Sequence, residues 1–192
     1  MSKERKPRPK DAGKIWVAPR QYNFVAEVIA TGKPIHILEA ERKLGRFTAA
    51  GLCDPNTDNE TTLMYWACFH GRLDVAKWLL QNDARPSMFV VDNKGNTPLM
   101  VAVIKGHLGV VRWICKTGAS STVVIKDRHG QSPIFCAAGL GMLDMCKLLH
   151  EYGANVSVKC RGHSPLAAAR RYDMCSGDKS VVSWLQSVGA AD

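Results

Sequence analysis

A chain of 192 residues with 46% hydrophobic content is long enough to bury one sizeable core. It contains no apolar run of membrane-spanning length, so no transmembrane helix is expected, and no signal peptide is expected. The net charge of +9 points to acidic partners, and seven cysteines, an odd number without a C-x-x-C pair, point to a reducing compartment, cytosol or nucleus.

Residues 1–20 hold seven Lys or Arg against Glu4 and Asp11, with prolines at 7, 9 and 19, and carry +5 of the net charge. Such material cannot bury enough apolar surface to fold alone and is expected to form a flexible basic tail. Within it Lys3, Arg5, Lys6, Arg8 and Lys10 suit a nuclear-import signal or contacts to RNA phosphates, beside the plainer reading of a solubilising tail. Residues 21–56 read as two helices. The first runs from Tyr22 to Ala30. The second starts at Pro34 and carries Ile35, Ile37, Leu38, Leu44 and Phe47 along one side.

From residue 57 onward the chain repeats itself. Thr62, Thr97 and Ser132 are 35 residues apart and Ser164 follows 32 later; Gly71, Gly106 and Gly141 keep the same 35-residue step. Thr97, Ser132 and Ser164 are each followed by proline, which suits a helix N-cap with proline at the first helical position. Alanines follow, then a glycine suited to end the first helix, then a second helix with an apolar ridge such as Val75, Ala76, Leu79 and Leu80. The runs Phe89-Val90-Val91, Val123-Val124-Ile125 and Val156-Ser157-Val158 suit extended hairpin arms between repeats. A fixed period of this length means stacked repeats, which are binding surfaces more often than active sites.

The register resembles the ankyrin repeat, D-x-x-G-x-T-P-L-H-x-A-x-x-x-G-H followed by L-L-x-x-G-A, most closely at Asp92 to Leu99, Gly106-His107 and Gly118-Ala119. The resemblance covers residues 57–192 and implies an all-α solenoid with short β-hairpin loops. About four repeats (57–91, 92–126, 127–158 and 159–192) would follow a degenerate helical N-terminal capping repeat at 21–56. The chain departs from the family pattern in several places. Tyr65, Met100, Phe135 and Ala167 replace the family's histidine, Leu63 replaces its first proline, and Asp83 a terminal glycine. The first two hairpins are longer than the consensus, and the last repeat has an insertion around Tyr172-Asp173-Met174-Cys175-Ser176-Gly177.

The resemblance implies a concave face lined by hairpin tips and first-helix ends. By register these are Asp58, Asn59, Thr61, Phe69 and His70; Asn93, Lys94, Asn96, Ile104 and Lys105; Arg128, His129, Gln131 and Leu140; and Arg161, His163, Arg171 and Tyr172. Phe69, Ile104, Leu140 and Tyr172 would be apolar anchors, one per repeat. Lys94, Lys105, Arg128, Arg161 and Arg171 would make the face basic and select for acid. A second row, Trp78, Trp113 and Trp184 with Leu148, suits packing between repeats or a second interface, and both readings stay open.

Catalytic signals are missing. There is no G-x-x-x-x-G-K-[ST], H-E-x-x-H or G-x-S-x-G, and the six histidines are scattered. Cys160-x-x-His163 with Cys175 lacks a fourth zinc ligand, so no metal and no cofactor is expected. The reading is a non-catalytic protein-interaction module, an adaptor or scaffold, whose partner carries an acidic or amphipathic segment; no small-molecule substrate is expected. The second reading is a structural subunit of a ribonucleoprotein or cytoskeletal assembly, with the tail on RNA or another acidic polymer.

Overall fold

The computed structural model describes residues 19–44, 52 and 61–191. Among these the chain forms paired helices: α1 Pro19–Thr31 and α2 His36–Lys43; α3 Leu63–Phe69 and α4 Leu73–Gln81; α5 Pro98–Ile104 and α6 Leu108–Ile114; α7 Pro133–Gly139 and α8 Leu143–Glu151; α9 Pro165–Ser176 and α10 Ser180–Ser187. First helices stack on first helices (α1, α3, α5, α7, α9), and second helices on second helices (α4, α6, α8, α10). One continuous core runs through the stack, from Val25, Val28 and Ile29 on α1 to Leu185 on α10. This is an all-α solenoid.

Each first helix starts by the same local chemistry. The hydroxyl of Thr62, Thr97, Ser132 or Ser164 accepts a hydrogen bond from the backbone N–H three residues on, at 3.2, 3.1, 3.4 and 3.0 Å. That satisfies one of the donors a helix start leaves open, and Pro98, Pro133 and Pro165 supply a preset φ at the next position. The four capping side chains are themselves buried.

The connections between repeats differ from the extended arms anticipated above. Arg85–Met88 and Ser120–Val124 are 3-10 turns, and Cys115–Ala119 is a π-helical turn. The additional residues of the first two linkers therefore sit in a helical turn before the hairpin, not in the hairpin. Two buried hydroxyls in register stabilise the turns locally: Ser87 donates to Ala84 O at 2.5 Å and Thr122 to Ala119 O at 2.6 Å. Val123 is consequently buried, while Val124 is 57% exposed. The only β-pairing recorded among the described residues is the bridge Cys160–His163.

At the N-terminal end the anticipated apolar side of the second helix holds only in part. Leu38 is fully buried, but Leu44 follows the last turn of α2 and is 65% exposed; Phe47 lies outside the described residues. The attachment of α1 depends on Arg72, which follows the turn glycine of the first repeat. Its guanidinium donates to Val28 O at 3.0 Å, Ile29 O at 3.4 Å and Lys33 O at 2.7 Å, and is aligned by Asp74 at 2.9 and 3.0 Å. A cation placed on the last carbonyls of a helix satisfies open acceptors and complements the helix dipole. Arg72→Ala should lower stability by about 1–2 kcal/mol. Hydrogen exchange should accelerate first over residues 22–43, and uniform acceleration along the stack would rule out a local clamp.

Candidate interaction surface

The hairpin tips are built around carboxylates that point into the structure. Asp92 is buried and accepts four hydrogen bonds, from Lys94 N (2.9 Å), Asn96 N (2.8 Å), Asn96 Nδ2 (3.0 Å) and Tyr65 Oη (3.0 Å). Burial works against its charge, but the bonds from Asn96, Lys94 and Tyr65 win and hold its pKa below the ordinary value. Asp127 repeats the arrangement, accepting from His129 N and Gln131 N at 2.8 Å each. In the fourth repeat Cys160 and His163 close a shorter hairpin, with both backbone bonds at 2.9 Å. Its two central residues, Arg161 (φ 49°) and Gly162 (φ 84°), are left-handed, as a two-residue hairpin turn of type I′ requires.

Neighbouring tips are tied to one another. Arg128 N donates to Lys94 O at 2.9 Å, Cys160 Sγ to His129 O at 3.3 Å, and Arg161 Nη2 to His129 Nδ1 at 2.9 Å. On this ridge Asn93, Lys94, Arg128, His129, Arg161 and His163 are exposed. No ion pair is recorded for Lys94, Arg128 or Arg161 among the described residues. Asn96, by contrast, is buried with its amide on Asp92, and Gln131 is half-buried. Thr61 is buried too, and its hydroxyl accepts from Trp66 Nε1 at 3.2 Å. Asn96 and Thr61 thus serve the fold, because a tight turn needs its own polar atoms paired. Asp58, Asn59 and the tail residues Lys3, Arg5, Lys6, Arg8 and Lys10 lie outside the described residues.

The row of apolar anchors divides. Ile104 and Leu140, at the ends of α5 and α7, are 37% and 41% exposed. Phe69 is half-buried: Lys105 Nζ sits 4.3 Å from its ring centre, and the Trp66 ring lies 5.6 Å away. His70 stacks on Trp66 at 5.7 Å, and burial with the nearby His107, Lys105 and Arg72 lowers its pKa. Tyr172 is half-buried against Gly141. Its place follows a rule of the stack that the sequence did not reveal. The turn glycine of each repeat is a seat for a side chain of the next: His107 lies on Gly71, Met142 approaches Gly106, and Tyr172 lies on Gly141. The insertion moves the fourth turn glycine to Gly177, the left-handed cap of the longer α9, and Tyr172 inside that helix takes the seat on Gly141. Arg171 and Lys105 remain exposed.

The tryptophan row is mostly packing. Trp78 and Leu148 are buried, Trp113 and Trp184 half-buried, and His150 meets Trp184 edge-on at 5.7 Å. Cys68 and Cys146 are buried in the core, and burial pushes the Cys115 thiol up to about 11 and those of Cys136 and Cys146 to about 12. Such thiols stay protonated and serve as small core side chains. Among the described residues no three His, Cys, Asp or Glu side chains gather into a metal-binding group, and no helix is long and apolar enough to cross a membrane.

Comparison with known families agrees with this geometry. Residues 36–125 match the family described as ankyrin repeats, in three copies, and residues 129–161 match a further ankyrin repeat. No curated protein matches the chain. Ankyrin repeats generally mediate protein–protein interaction and are typically non-catalytic. Repeated helix pairs, capped first helices, turn glycines and hairpin tips, together with these matches, place the chain in the ankyrin-repeat family.

Proposed function

We propose that this protein is a non-catalytic recognition module, an adaptor or scaffold, that binds an acidic segment of another protein along its hairpin tips and first-helix ends. The observation that carries this reading is the sorting of charge on the tips. Asp92 and Asp127 accept hydrogen bonds from their own turns, whereas Lys94, Arg128 and Arg161 stand exposed. A surface sorted this way attracts acid at long range and matches it at contact. Ile104 and Leu140 supply exposed apolar contact area, and Lys105 at the end of α5 and Arg171 on α9 are exposed as well. The tip-to-tip bonds make the surface preformed, so little ordering entropy is lost on binding. Residues 21–56 act as the capping repeat of this platform, and the buried thiols suit the reducing cytosol or nucleus.

The test is affinity capture of the tagged full chain, run with and without nuclease and at low and high salt. A protein partner that survives nuclease is expected. Lys94→Glu with Arg128→Glu should abolish its capture and leave the melting temperature unchanged, because the Arg128 N to Lys94 O bond uses backbone atoms only. Ile104→Ala with Leu140→Ala should weaken it about tenfold or more. Retention of the partner by both double variants would refute the assigned surface. Loss of all partners on nuclease treatment would favour the nucleic-acid assembly instead.

A further inference from the structure

We propose that Arg161 and His129, on adjacent hairpin tips, form a receptor for a phosphate monoester, the phosphorylated serine or threonine side chain of a partner protein. This rests on the reading of the tips as the contact surface and names the chemistry of one position on it.

Three observations converge on the pair. The first is strain. Arg161 is held at φ 49°, in a turn position that glycine, asparagine or aspartate normally fills. A bulky side chain in left-handed backbone is an outlier, and such outliers gather at binding sites. Glycine there would fold with less strain, so the arginine side chain is retained at a cost to the turn.

The second is preorganisation. His129 is held at three points: its N–H donates to Asp127 Oδ1 at 2.8 Å, its carbonyl accepts from Cys160 Sγ at 3.3 Å, and its Nδ1 lies 2.9 Å from Arg161 Nη2. A guanidinium only donates, so Nδ1 is the acceptor and the ring proton resides on Nε2. The pair therefore offers the Nε2–H of His129 and the remaining N–H groups of Arg161 from side chains whose places are already set.

The third is uncompensated charge. No ion pair is recorded for Arg161 or Arg128 among the described residues, and Asp127 is committed to the amides of its own turn. Arg128 and His163, on the same two tips, are exposed as well. A phosphate monoester carries close to two negative charges and three acceptor oxygens, which match a guanidinium and an imidazole donor better than one carboxylate does. A nucleic-acid strand is less well matched, because each phosphodiester carries one negative charge and two non-bridging oxygens where the monoester carries about two charges and three oxygens.

The test is an NMR titration of the isotopically labelled full chain with the tripeptide Gly-phosphoserine-Gly, with Gly-Glu-Gly and a ten-residue oligouridylate in parallel. Saturable shifts of the Arg161 Nε and His129 Nε2 signals are expected with the phosphopeptide, with a dissociation constant on the order of 1 mM for so few contacts. Gly-Glu-Gly should produce at most a tenth of that affinity. Arg161→Gly should abolish the response while melting at the same or a higher temperature, and Arg161→Asn, also tolerated in left-handed backbone, should do likewise. An unchanged response in either folded variant would overturn the proposal, as would an equal response to the glutamate tripeptide or a stronger one to the oligonucleotide. Failure here, with acid-dependent capture of a protein partner intact, would leave the broader recognition surface standing without this receptor.

Discussion

Gly141→Ala should be among the most damaging single-methyl additions in this chain, lowering stability by about 2–4 kcal/mol. Two effects combine. Gly141 has φ 70°, where a side chain strains the backbone by about 1 kcal/mol or more. The added methyl would also lie 2.6 Å from both Cδ1 and Cζ of Tyr172, and closer still to Cε1. The ring is half-buried at the joint between the third and fourth repeats, so relieving the clash means shifting it there. Gly106→Ala is the internal control: its φ is 77°, but the nearest atom to the new methyl, Met142 Cε, is 3.5 Å away. It should therefore carry only the backbone strain. Thermal melts should rank wild type above Gly106→Ala above Gly141→Ala, with the last shifted by about 5–15 °C for a chain of this size. Because stacked repeats are coupled mainly to their neighbours, hydrogen exchange in Gly141→Ala should rise first over α9 and α10. Equal melting temperatures for the two variants would show that the Tyr172 ring yields freely.

The contrast between these glycines shows what was legible in the sequence and what was not. A 35-residue register, capping Thr or Ser, a following proline and a turn glycine are local rules, each confined to a few consecutive residues, and they placed the helices of the repeats correctly. The seat of Tyr172 on Gly141 joins residues of different repeats across an insertion that breaks the register, so no local rule predicts it. The same holds for Arg72, whose three carbonyl partners lie some 40 positions upstream on α1 and the loop after it. The 3-10 turns are an intermediate case. The β-branched residues of Val123-Val124-Ile125 favour extension, but Thr122 bonds back to Ala119 and wins locally. Ser87 and Thr122, 35 positions apart, are the register signal for these turns.

For the interaction surface, register was enough to put Lys94, Arg128, His129, Arg161 and His163 on the tips, because a hairpin leaves few choices of exposure. It was not enough to tell spent side chains from free ones. Asn96 and Thr61 share a register position with the exposed His163, yet their polar atoms are taken by Asp92 and Trp66. Phe69 shares a register position with the exposed Ile104, and Tyr172 with Leu140, yet a lysine covers one and a turn holds the other. Exposure follows from position, whereas availability follows from partners, and partners in a stack belong to the next repeat.

Asp92→Ala is expected to cost about 3 kcal/mol, because it removes one acceptor group and strands four donors at once. Three are the backbone N–H groups of Lys94 and Asn96 and the Asn96 amide, which shape the hairpin; the fourth is the Tyr65 hydroxyl, which ties that hairpin to α3. Tyr65→Phe removes the Tyr65 bond alone and should cost about 1 kcal/mol. Both substitutions should also change the pH profile, with opposite signs. The Asp92 carboxylate is held below its ordinary 3.8, so its contribution is complete above that pH and is lost as pH falls through the folded value. Asp92→Ala should therefore flatten the acid limb of the stability curve. Burial, and then the charge and hydrogen bond of Asp92, push the Tyr65 hydroxyl well above its ordinary 10.0, so above that pH the unfolded chain releases a proton that the folded chain keeps. Stability should fall there in the wild type, where the raised thiols of Cys115, Cys136 and Cys146 act in the same direction, so Tyr65→Phe should shrink that alkaline loss without abolishing it and should leave an acid limb. Chemical denaturation from pH 2.5 to 11 reads both ends. An acid limb unchanged in Asp92→Ala would mean that another carboxylate dominates it, and that the buried hub contributes by shape alone.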